Sequence, residues 1–62
     1  MERLKELKEY ADKVKLARPE CLREIDGIVE LFVSEVEQGG SVEHEYSLAV
    51  SDLEYILING EE

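Results

Sequence analysis

Two marks of punctuation, Pro19 and Gly39-Gly40, divide this chain, and in each stretch between them apolar residues recur at steps of three and four. That spacing returns side chains to one face of a helix with 3.6 residues per turn. Strands would need strict alternation, which none of the three stretches shows. The fold class that follows is all-α.

The first segment, residues 2–17, places Leu4, Leu7, Ala11 and Val14 in one row, bordered by Tyr10 and Ala17, with an almost wholly charged opposite side. Lys5–Glu9, Lys8–Asp12 and Glu9–Lys13 lie one turn apart with opposite charges, each pair worth ~0.2–0.5 kcal/mol. The second segment, 19–38, opens with Pro at the first helical position and Glu20 beside the positive end of the dipole. Its stripe is Leu22, Ile25, Val29, Phe32 and Val36, widened by Cys21, Ile28 and Val33, and Gly39 stops it. Asp26-Gly27 is a hairpin signal ahead of a β-rich stretch, but the apolar residues there do not alternate, so the helix is the better reading. The third segment, 42–58, starts at an N-cap, Ser41, and ends before Gly60. It carries Val42, Tyr46, Ala49, Leu53 and Ile56, flanked by Val50 and Leu57. Residues 59–62 read as a frayed tail.

Pro19 leaves two architectures open. The heptad series 4, 7, 11, 14, 18, 21, 25, 28, 32 runs through it in register, interrupted by Arg18 alone. One long kinked helix would account for that phase and would give a helical hairpin that dimerises into a four-helix-type bundle. A proline inside a helix costs ~3 kcal/mol, which favours a turn. The expected fold is therefore one domain over residues 1–62, a three-helix up-down-up bundle. Helices of about 16, 20 and 17 residues match in length, at roughly 24–30 Å.

Composition narrows the function classes. The longest apolar run is four residues, Tyr55 to Ile58, too short for a membrane span. A net charge of −9 excludes a conventional basic nucleic-acid binder, and one cysteine excludes an internal disulfide framework. The lone Cys21 and the absence of an apolar stretch at the N-terminus fit a cytoplasmic protein. Charge is uneven: residues 1–18 hold six basic and four acidic groups, whereas 19–62 hold Arg23 against twelve acids. The basic first helix could lie over the acidic ones, within the chain or between subunits. A chain of 62 residues hides only ~60% of its unfolded surface, so association is the expected supplement to its stability.

Catalytic groups are few. His44 is the sole histidine, in Glu43-His44-Glu45 at the start of the third helix, and is expected at the surface. Cys21 falls on an apolar face and has no nearby histidine to activate it, which makes it a small core residue. No phosphate loop or CxxC motif is present, and Gly39-Gly40 has too few glycines to cradle a phosphate. The expectation is a non-enzymatic protein without cofactor or metal.

What exceeds the needs of one core is a second seam. His44, Leu48, Ser51, Tyr55 and Ile58 run along the third helix away from its stripe, and Gly27, Leu31 and Ser34 lie roughly opposite Ile25 and Phe32 on the second. A mid-helix glycine costs ~1 kcal/mol relative to alanine, which close approach by another helix can offset. The candidate contact residues are Leu31, Leu48 and Tyr55 as anchors, with Gly27, Ser34 and Ser51 as small neighbours. The expected function is a small acidic protein-interaction module, an adaptor, inhibitor or regulatory subunit, binding a protein partner or itself as a homodimer. The alternative is a nucleic-acid mimic presenting Asp26, Glu30, Glu37, Glu45 and Asp52 where phosphates would lie.

Overall fold

A computed structural model describes residues 2–60. Helix α1 spans Glu2–Ala17, a single 3₁₀ turn covers Pro19–Cys21, α2 spans Leu22–Glu37 and α3 spans Val42–Asn59. Each helix packs on the other two, within extents of 31 × 20 × 16 Å. Arg3, near the start of α1, reaches Glu43 at the start of α3, and Arg18, just beyond α1, reaches Leu57 and Ile58 at the end of α3. Helices α1 and α3 are therefore parallel and α2 runs back between them, an up-down-up bundle.

Pro19 makes a turn and not a kink. Arg18 before it has left the helical region, at φ −134° and ψ 67°, as the clash with the proline ring demands. The Cys21 N–H donates to the Arg18 carbonyl at 3.0 Å and the Leu22 N–H to Pro19. The residues expected as the first turn of the second helix thus wind more tightly, and α2 proper begins at Leu22 without a side-chain cap. Leu22, assigned by its spacing to the core stripe, is half exposed at this helix start.

The other junctions follow the local chemistry. After α2, Gly39 takes φ +101°, its N–H donates to Val36 and the Gly40 N–H donates to Glu35, the paired bonds of a Schellman motif. A Cβ at Gly40 would sit 2.8 Å from the Glu35 carbonyl oxygen, so both glycines are needed, for different reasons. Ser41 caps α3 by accepting from the His44 N–H at 3.3 Å. Helix α3 runs through Asn59 and Gly60 is buried, so these two residues belong to the fold and not to a tail; Glu61 and Glu62 lie outside the described residues.

The core is Leu7, Ala11 and Val14 from α1, Cys21 from the turn, Ile25 and Phe32 from α2, and Ala49 and Leu53 from α3. All belong to the stripes that the spacing picks out. Phe32 meets Tyr46 edge to face, centroids 6.4 Å apart, and the Arg3 guanidinium covers Tyr46 at 4.9 Å. Three clasps outside the core tie the basic first segment to the acidic helices: Arg3 to Glu43 at 3.0 Å, Lys15 to Asp26 at 2.7 Å, and Arg18 to the end of α3. Part of the charge asymmetry is satisfied inside the chain. Among the described residues no helix is long and apolar enough to cross a membrane.

Candidate interaction surface between α2 and α3

Three helices packed mutually leave three grooves on the outside. The groove between α2 and α3 receives Gly27 and Leu31 from α2 and Leu48 and Tyr55 from α3, with Ile28, Phe32, Ala49 and Ile56 at its base. Four of the six candidate contact residues therefore come together. Leu31, Leu48 and Tyr55 are exposed by 59%, 50% and 56%, although the eight core residues are sealed without them. The antiparallel run of the helices sets Gly27 toward Tyr55 and Leu31 toward Leu48. A Cβ on Gly27 would meet nothing within 4 Å, so no contact inside the chain requires a glycine there.

The two serines do not join this groove. Ser51 lines the groove between α1 and α3, beside Arg3, Glu43, Tyr46 and Glu54. Ser34 is partly buried on α2, where its hydroxyl accepts from Gln38 Nε2 at 3.0 Å. A heptad seam marks the crest of a helix, and residues on a crest lean to one neighbour or the other.

Acidic residues separate by groove in the same way. Asp26 and Glu30 lie with Lys8 and Lys15 between α1 and α2, and Glu24, Glu45 and Asp52 lie between α2 and α3. Four of the five carboxylates of the phosphate-mimic reading, Asp26, Glu30, Glu45 and Asp52, are thus divided between two faces, and one of them, Asp26, is held in an ion pair. Glu24, Glu45 and Asp52 form no ion pair among the described residues.

Ionisable groups elsewhere have structural surroundings. Cys21 is buried in the core and His44 is exposed in the first turn of α3. No three His, Cys, Asp or Glu side chains converge to hold a metal ion among the described residues. The hydrogen bond that Lys15 donates to the Asp26 carboxylate raises the Lys15 pKa, and burial, with a smaller effect of Glu54, raises that of the Tyr10 phenol. Glu43 and then Glu6, both hydrogen-bonded to Arg3, hold its guanidinium more firmly charged.

Sequence reasoning missed Arg18. Its Nε donates to the Leu57 carbonyl at 3.0 Å and Nη2 to Ile58 at 3.2 Å, and Gly60 packs on the guanidinium face. The signal was present, since Arg18 is the one charged residue inside the apolar heptad series. The carboxylate rim of Glu24 and Asp52 left no such trace, because each lies among many acids. No family model, curated protein or solved structure matches this chain.

Proposed function

We propose that this protein is a non-enzymatic protein-interaction module whose contact surface is the α2–α3 groove. The observation that carries the reading is that Leu31, Leu48 and Tyr55 stay about half exposed on one groove while the core closes without them. Single exposed apolar side chains are ordinary, but several in one groove mark a place for another surface. The area they offer is continuous with apolar side chains at the groove base, so an occupant would extend the core outward. An adaptor, an inhibitor and a regulatory subunit all use such a surface.

Site-specific photo-crosslinking in the source cell tests this. Benzoylphenylalanine replaces Tyr55 in the groove, or Leu16, which is 86% exposed on α1 and outside it. The expected result is a discrete adduct from position 55 that is absent from position 16. An adduct of twice the chain mass identifies a second copy, and any other mass a separate partner. No adduct at 55, or the same ladder from both positions, eliminates the reading. As a companion measurement, Leu48→Glu with Tyr55→Glu removes the adduct from a probe at Leu31 while helix content stays near wild type.

A further inference from the structure

We infer that the α2–α3 groove receives a basic amphipathic helix of a different protein; this rests on the interaction-module reading above. Topology distributes charge unequally among the three grooves. Six of the seven basic residues lie in residues 1–18, so α1 and its end carry them. The two grooves that include α1 accordingly contain cations, Lys8 and Lys15 in one and Arg3 in the other. The α2–α3 groove is the one from which α1 is absent. The charged side chains lining it are Glu24, Glu45 and Asp52, all acidic and none ion-paired among the described residues.

An apolar trough edged by unpaired carboxylates suits a helix with two or three apolar anchors flanked by Lys or Arg. Such a helix would lie along α2 and α3 as the fourth member of a bundle. Leu48 and Tyr55 are seven residues apart, so the anchors they meet span about two turns. Gly27, open on its outer side, allows the backbone of the occupant to come close at that point.

A second copy of this chain suits the groove less well. Groove against groove would oppose six carboxylates with no cation between them, and like charges facing each other are repulsive. A copy could instead offer its basic α1, but α1 lies across the bundle from the groove. Each copy would then leave its own groove open for the next, and the assembly would grow into a ring or a filament and not a two-fold dimer.

The test uses the full chain, isotope-labelled, and two synthetic helical peptides with identical leucine anchors, one flanked by lysine and arginine and the other by glutamate. The expected result is that the basic peptide shifts the amide signals of Gly27, Leu31, Leu48 and Tyr55. It should bind about tenfold more tightly than the acidic one, the scale of two or three rim ion pairs, and weaken as salt is raised. Glu24→Gln with Asp52→Asn should cost most of that tenfold preference. Glu20→Gln with Glu37→Gln, which removes the same charge away from the groove, should cost less than about twofold. Equal binding of the two peptides, signals centred on Asp26 and Glu30, or equal losses from the two charge pairs would each overturn the inference. Discrete crosslinks from position 55 without binding of the basic peptide overturn this inference alone. Loss of those crosslinks removes the module reading as well.

Discussion

Arg18 is the residue whose loss should be felt most for a side chain outside the core. Its substitution by methionine keeps an unbranched apolar stem of similar length and deletes the guanidinium. Two hydrogen bonds to the last carbonyls of α3 disappear, at 3.0 and 3.2 Å, one partly buried and one exposed. A charged donor to a carbonyl contributes ~1.5–3 kcal/mol when shielded and less in water, so the two together are worth about 1.5 kcal/mol here. Removing a cation from a helix C-terminus costs a further ~0.3–1 kcal/mol. The sum, about 2 kcal/mol, compares with a total stability of about 3–9 kcal/mol for 62 residues. At roughly 4–8 °C per kcal/mol the melting temperature should fall by about 10 °C.

Urea unfolding followed by circular dichroism gives the free energy, and amide exchange gives its location. The Gly60 N–H, bonded to Ile56 at 2.7 Å, should lose protection before the amides around Leu53 do. Arg18→Lys keeps the charge but not the fork and should recover roughly half of the loss, since lysine donates as a point charge. An Arg18→Met protein within about 0.5 kcal/mol of wild type, the range of ordinary surface changes, would refute the reasoning. In that case the parallel alignment of α1 and α3 rests on the core and the Arg3–Glu43 pair.

Two further outcomes are expected. Gly27→Ala should stabilise the isolated protein by about 0.5–1 kcal/mol in urea unfolding, because the new methyl meets nothing within 4 Å and helix propensity improves; destabilisation would mean that the position is not open. Stability should also fall in alkali. The folded pKa values of Lys15 and Tyr10 both lie above their unfolded values. Their contribution is therefore complete below the unfolded values, at about pH 10, and is lost as pH rises through the folded ones. Urea midpoints that hold steady between about pH 9 and pH 11.5 contradict this linkage, and Tyr10→Phe with Lys15→Met should flatten the decline.

Much of the fold can be read from the residues in order. The three stripes, the stop at Gly39 and the cap at Ser41 all depend on groups within one or two turns of each other, and periodicity and capping chemistry act over that distance. Every core residue was therefore visible as a member of a stripe. Groove membership was not. Leu48, Ser51 and Tyr55 share one seam, yet Ser51 turns toward α1 while the other two turn toward α2. A helical period gives each residue an angle on its own helix and says nothing about where neighbouring helices stand.

The same division holds for Pro19 and Arg18. The heptad phase running through the proline fitted a kinked rod as well as a turn, because a local repeat is blind to closure of the chain on itself. Closure was decided when α1, α2 and α3 buried their stripes against one another, and that placed Arg18 at the end of α3, nearly forty residues away in sequence. Sequence by itself determined three amphipathic helices, the stop at Gly39, the cap at Ser41 and an acidic balance with its cations gathered on the first. Tertiary structure alone decided which carboxylates those cations reach and which groove they leave acidic, because charges so far apart in the chain meet only when the helices pack.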